Sequence, residues 1–156
     1  MRRRLTASLS ATIDSPADPL ARPIRREDVD ALASLMLDAY RGTIDDGGES
    51  LEDAVSEVRK LLDGAYGAFD FAASELIERD GRPVSATVVT HYEGVPLIAF
   101  SVTAPTWKRR GLAKAGLRRA MARLAGAGVP RVDLVVTAGN TPAETLYERL
   151  GFVPAA

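Results

Sequence analysis

The chain has no cysteine and a single histidine, His91, in 156 residues. The first absence excludes disulfides, thiol nucleophiles and cysteine-ligated zinc. The second argues against a histidine metal site or a multi-histidine relay. No metal is expected, and the missing thiols fit a cytoplasmic protein. Aromatic residues are scarce at 6%, and 20 basic against 21 acidic side chains leave a net charge of −1. That balance is unsuited to nucleic acid. No apolar run approaches a membrane span. The basic start, Met1-Arg2-Arg3-Arg4, is not followed by the long apolar core of a secretory leader. What is present is an ordinary globular mixture, 46% apolar and 26% charged, at a length suited to one domain.

Residues 1–20 read as an arm or an extra edge strand, because Leu5, Ala7, Leu9, Ala11 and Ile13 alternate with Thr6, Ser8, Ser10 and Thr12. Pro16, Pro19 and Pro23 mark a connector, and residues 21–156 form a single domain. A helix is expected from Glu27 to about Tyr40, then a glycine-rich acidic loop from Gly42 to Glu49. A second helix follows, opened by a Ser50/Asp53 capping box. Strands at about Phe71–Arg79, Pro83–Tyr92 and Val95–Thr103 make an antiparallel meander, with a hairpin signal at Asp80-Gly81. A helix from about Arg110 to Ala125, a strand over Arg131–Thr137 and a last helix to about Leu150 complete the order. That last helix carries a second capping box at Thr141/Glu144, with proline at its first position. The fold class is α/β (α+β): a mixed, mostly antiparallel sheet with about four helices against it.

Two segments carry the chemistry. In Val102-Thr103-Ala104-Pro105-Thr106-Trp107-Lys108-Arg109-Arg110-Gly111-Leu112-Ala113 a strand runs through three cations and a glycine into a helix. A helix N-terminus offers unpaired N–H groups and partial positive charge, and glycine admits close approach of an anion. This is the pattern of a diphosphate cradle, although no G-x-x-x-x-G-K-[ST] loop is present. The second segment, Asn140 to Phe152, places Asn140 just before a helix, Tyr147 two turns into it and Gly151-Phe152 at its end.

Together these segments resemble the GCN5-related N-acetyltransferase (GNAT) superfamily, over roughly Ile24 to Val153. The first is similar to the family's acetyl-CoA signature, [QR]-x-x-G-x-[GA], at Lys108, Gly111 and Ala113. Lys108 departs from the usual Gln or Arg, keeping charge but losing bidentate geometry. The second matches N-x-x-A-x-x-L-Y-x-x-x-G-F without a gap. Ala39 to Asp46 with its acidic loop resembles a bacterial subgroup.

The resemblance implies an acetyl-CoA-dependent N-acetyltransferase in which a primary amine of a small molecule or peptide attacks the thioester directly. It implies that Ser101, Val102 and Thr103 contact pantetheine through the main chain, between this strand and Arg131–Thr137. Lys108, Arg109, Arg110, Gly111, Leu112, Ala113 and Lys114 would hold the diphosphate, and Asn140 would orient pantetheine or a water. Tyr147 is assigned as general acid to the leaving thiolate. The general base is not assigned: Asp133, Glu93, His91 and Glu75 are candidates, beside a water relay or an amine deprotonated in bulk. Asp45, Asp46 and Glu49, with His91, are expected on the acceptor side, where the acidic loop would steer a cationic amine. The alternative is a catalytically silent acyl-CoA-binding or sensing module. A nucleic-acid reading of Arg118, Arg119 and Arg123 with the cradle cations is disfavoured, because helical spacing scatters them around one helix. The sheet edge is expected to be left short, to be completed by a partner chain in a homodimer, or to be completed by the N-terminal arm.

Overall fold

The computed structural model describes residues 1–10 and 13–156. Strand β1 (Arg2–Ser8) leads through the connector to a short β2 (Ala21–Pro23). A 3-10 turn over Arg26–Asp28 enters α1 (Val29–Tyr40), and the acidic loop leads to α2 (Leu51–Leu62). Then come β3 (Ala68–Phe69), β4 (Glu75–Arg79), β5 (Arg82–Tyr92) and β6 (Val95–Thr103). A 3-10 turn over Pro105–Trp107 precedes α3 (Leu112–Gly126), followed by β7 (Arg131–Thr137), α4 (Thr141–Arg149) and β8 (Val153–Pro154). Among the described residues these strands form one sheet in the order β2-β4-β5-β6-β7-β1-β8, with β3 on β5. Its neighbours are antiparallel except β6 and β7.

Both faces of the sheet are covered, which is why β5 is buried along most of its length. On one face Leu32 and Met36 of α1 and Val58 and Leu61 of α2 pack on Leu76, Ala86, Val88 and Val102. On the other, Leu117, Ala120, Met121 and Leu124 of α3 pack on Val89, Ile98, Leu134 and Val136. Along β5, Ala86 and Val88 face the first core and Val89 the second, as a period of two requires. Helix α3 lies close because Gly116 has no side chain: a Cβ there would meet Thr87 Oγ1 at 2.7 Å.

The N-terminal segment is a strand, and it is inserted rather than appended. β1 runs antiparallel to β7 from Arg2↔Thr137 to Ser8↔Arg131, and β8 pairs with β1 at Leu5 and Thr6. The strand ends at Ser8, although Leu9 and Ile13 still pack against the α3 core; Ala11 and Thr12 lie outside the described residues. Three further boundaries differ from the sequence reading. The expected strand from Phe71 begins at Glu75, because Asp70 folds the chain back: its Oδ1 accepts from Ala73 N–H and its carbonyl from Ser74 N–H. Helix α3 starts at Leu112 because Gly111, at φ 80°, is its N-cap. Helix α4 is capped by Asn140, whose Oδ1 accepts from Ala143 N–H, so the capping pattern sits one residue before Thr141. The Ser50/Asp53 box is present as read.

Candidate active site

The site begins with a strand irregularity. Along the β5–β6 ladder Val88 faces Phe100 but Val89 faces Ile98, so Ala99 is the extra residue of a β-bulge. A bulge bends its strand and increases local twist. The parallel pairing of β6 with β7 ends at the same place: Leu97 meets Asp133, Ile98 meets Leu134, and no ladder pair follows. Beyond the bulge the two strands part, leaving backbone donors and acceptors on their facing edges without sheet partners. Such groups require partners, and an extended molecule bearing amides can supply them.

The gap opens into a cleft of about 390 Å³. Ile98 to Ser101 of β6 and Leu134 to Thr137 of β7 form its floor. Met36, Leu37 and Tyr40 of α1 overhang it, with Ala54 and Glu57 of α2 and Asp45, Asp46 and Glu49 of the acidic loop. Asn140, Ala143 and Tyr147 of α4 close one side, and Arg2 of β1 reaches it. The structure therefore brings Ser101, Asn140, Tyr147, Asp45, Asp46 and Glu49 together. Val102 and Thr103 are buried on β6, with Thr103 Oγ1 on Ser85 Oγ at 3.1 Å, so only their main chain is available to a ligand.

Tyr147 is fixed from below by Phe152, whose ring meets it edge-on at 5.9 Å, and whose N–H donates to the Tyr147 carbonyl. Neither the Tyr147 nor the Tyr40 hydroxyl has a hydrogen-bond partner among the described residues. Burial, and then the nearby Asp45 carboxylate, push the Tyr147 phenol up to about 12. Burial raises Tyr40 as well, followed by Asp45 and Tyr147. Both phenols therefore keep their protons at neutral pH, so Tyr147 has a proton to give.

The cradle lies beyond the C-terminal end of β6. Lys108, Arg109, Arg110 and Gly111 are exposed, and Leu112, Ala113 and Lys114 half-buried, at the first turn of α3. No side chain caps this helix, leaving its first N–H groups open to an anion. Arg109 and Gly111 both hold positive φ, 65° and 80°, and nothing lies within 4 Å of a Cβ built on Gly111. Arg110 is diverted: its guanidinium stacks over Trp107 at 4.6 Å.

The remaining acid–base candidates lie outside the cleft lining. His91 Nε2 pairs with Asp70 Oδ2 at 2.7 Å on the side of the sheet where β3 joins β5. Glu93 occupies the β5–β6 turn at φ 51°. Glu75 is 1% exposed and holds Arg119 at 2.6 Å and Arg123 at 2.8 Å. Asp133 is buried; burial pushes its carboxyl up, but the Thr6 hydroxyl, the Arg4 guanidinium at 2.9 Å and Arg131 together outweigh this and hold it low. Sequence reasoning missed Tyr40, Arg2, Glu57 and Thr137 at the cleft. Tyr40 had one signal, its place at the end of a helix beside the acidic loop.

A family model described as the acetyltransferase (GNAT) family matches residues 31–152. The chain belongs to that family. A search of curated proteins finds no match. Among solved structures, a GCN5-related N-acetyltransferase from Sphaerobacter thermophilus is similar at TM-score 0.76 and 21% identity, over 99% of this chain and 48% of that one. A putative GNAT-family acetyltransferase from Novosphingobium aromaticivorans is similar at TM-score 0.66 and 22% identity, over 99% and 61%. The chain thus spans about half to three fifths of these relatives' length. A ribosomal-protein-alanine N-acetyltransferase from Brucella melitensis gives TM-score 0.69 and 20% identity over 88% and 86%. At these identities the likeness establishes the GNAT fold.

Proposed function

We propose that this GNAT-family chain is an acetyl-CoA-dependent N-acetyltransferase that acts on a primary amine of a small molecule or peptide. The observation that carries the reading is the parting of β6 and β7 at the Ala99 bulge, with a protonated, unpartnered Tyr147 hydroxyl in the cleft it opens. The residues present fit the cosubstrate. The uncapped start of α3, with Arg109, Gly111, Leu112, Ala113, Lys108 and Lys114, suits its diphosphate. The unpaired strand edges at Ser101 to Thr103 suit its amides, with Asn140 across the gap. The solved structure of AAC(6')-Iy, similar at TM-score 0.65 and 14% identity, is a complex with a CoA-linked bisubstrate analog.

Bound acetyl-CoA supplies a thioester activated toward attack by an amine. In this reading the protein orients the two reactants, and β6 backbone N–H groups at the gap stabilise charge on the acyl oxygen. Tyr147 protonates the departing sulfur. The apolar wall of Met36, Leu37 and Phe100 and the carboxylates at the rim suit a cationic amine with an apolar flank. Release of free thiol is measured with acetyl-CoA and a panel of 2-phenylethylamine, spermidine and an alanine-terminated tripeptide. Turnover of at least one amine, reduced in Tyr147→Phe, is the expected result. Binding of acetyl-CoA without turnover of any of them contradicts the reading and favours a silent binding module.

A further inference from the structure

Four carboxylates border the cleft, and three accept hydrogen bonds from the acidic loop itself or from residues in and just after α2. Asp46 accepts from Gly42 N–H at 2.8 Å and Gly48 N–H at 2.9 Å, and Arg41 lies 3.8 Å away. Glu49 accepts from Gly47 N–H at 3.1 Å. Glu57 accepts from the Tyr66 hydroxyl and from Lys60. These three build the loop and its neighbour helix. Asp45 differs. Its Oδ1 accepts from Thr137 Oγ1 at 2.7 Å, at the C-terminal end of β7. Its Oδ2 has no hydrogen-bond partner among the described residues.

The placement is held from both sides. Asp45 N–H donates to Thr43 Oγ1 at 3.3 Å, and Ile44 sits against the Gly139 turn, where an added Cβ would lie 3.7 Å from its Cδ1. A carboxylate from the acidic loop is thereby pinned to the strand whose end carries Asn140 and, two turns further along, Tyr147. Resting on the N-acetyltransferase reading, we infer that Asp45 is the catalytic group that receives the acceptor's ammonium and takes its proton, with Thr137 as its positioning residue.

The protons balance. The ammonium gives one proton to Asp45, and the freed nitrogen lone pair forms the C–N bond. Collapse breaks the C–S bond. The Tyr147 hydroxyl gives its proton to sulfur and recovers one from nitrogen, and Asp45 returns its proton to solvent. One amide, one thiol and one proton result. The Asp45 carboxylate also opposes ionisation of Tyr147, so the phenol enters the reaction protonated. The ionisable groups facing Asp45 are Tyr40 of α1, Glu57 of α2, Tyr147 of α4, Arg2 of β1, and Asp46 and Glu49 of its own loop.

The test compares wild type with Asp45→Asn, Thr137→Val and Thr137→Ser, using the amine of the panel that wild type turns over best. Asparagine keeps an acceptor for Thr137 but takes no proton. Its kcat/KM is expected to fall by about 10². Below the amine's own pKa its kcat/KM rises about tenfold per pH unit, because only amine already neutral in bulk reacts, whereas wild type is flatter over the same range. Calorimetry is expected to show amine binding to the CoA-saturated protein weakened about tenfold, with acetyl-CoA affinity unchanged. Thr137→Val lowers kcat, and Thr137→Ser restores it. If Asp45→Asn also loses acetyl-CoA affinity, the valine and serine pair decides. Wild-type kinetics and pH profile in Asp45→Asn, or equal kcat in the two Thr137 variants, overturn the inference alone. Absence of turnover in wild type overturns it together with the reading on which it rests.

Discussion

On the proposed acetyltransferase reading, Gly111 and Tyr147 separate binding from chemistry at the scale of single residues. The space around Gly111 is open and its φ is 80°, so Gly111→Ala loses through backbone strain of about 1 kcal/mol and through a methyl where the diphosphate approaches. Acetyl-CoA Kd is expected to rise about tenfold, read by calorimetry, with kcat at saturation little changed. Tyr147→Phe should do the reverse. It removes the hydroxyl proton proposed to reach the departing sulfur, so kcat falls about 10² while acetyl-CoA Kd holds. Equal effects on kcat and Kd in both variants would contradict the division of roles. The sequence made both residues legible, because motif spacing places them on known ends of helices. It left Asp45 as one of several rim charges: which carboxylate is pinned and which is spent on its own loop depends on Thr137, 92 positions away.

Elements are locked by buried ion pairs rather than by apolar contact alone. Glu75 of β4 binds Arg119 and Arg123 of α3, and Arg119 also donates to the Pro16 carbonyl at 2.7 Å. Glu75→Gln leaves Arg119, 5% exposed, without its counter-charge, and about 3–5 kcal/mol of stability should be lost on urea unfolding. In the middle of β2, Arg22 grips Asp28 through two nitrogens at 2.8 and 2.9 Å. That hydrogen-bonded pairing outweighs burial and holds the Asp28 carboxyl below its ordinary 3.8. A carboxyl depressed on folding adds stability that is complete above its unfolded pKa and is lost as pH falls through the folded one. Thermal melts should therefore weaken progressively below about pH 4, and Asp28→Asn should be less stable at neutral pH and flatter in that range. An unchanged acid limb in the variant would contradict the pairing. Periodicity revealed these helices and strands but not Arg119, since a charge on a helix stripe reads as solvated until its partner strand is known.

The whole molecule depends on a strand whose partners no local pattern names. Alternation in the first residues shows that one side of β1 is buried; it does not say against what. In the fold β1 lies between β7 and β8, and Leu5, 5% exposed, joins the α3 core. Its Met1 carbonyl accepts from Ala138 N–H, its Arg3 pairs with Glu144 at 3.1 Å, and Arg2 reaches the cleft. The first strand thus supports the turn that carries Asn140. Leu5→Ala should cost about 2–4 kcal/mol, seen in denaturant unfolding, and a cost near zero would mean that β1 is not part of the core. The meander, the strand-to-helix junction before α3 and the last helix were legible from spacing, whereas the Ala99 bulge was not, because an extra residue in one strand is defined only by its register with the next. The claim that most needs testing is that the gap behind that bulge, with the start of α3, holds acetyl-CoA. The direct measurement is a calorimetric titration of the protein with acetyl-CoA in the absence of metal. Saturable one-to-one binding, weakened in Gly111→Ala, is the predicted result; absence of binding at hundreds of micromolar would contradict the account.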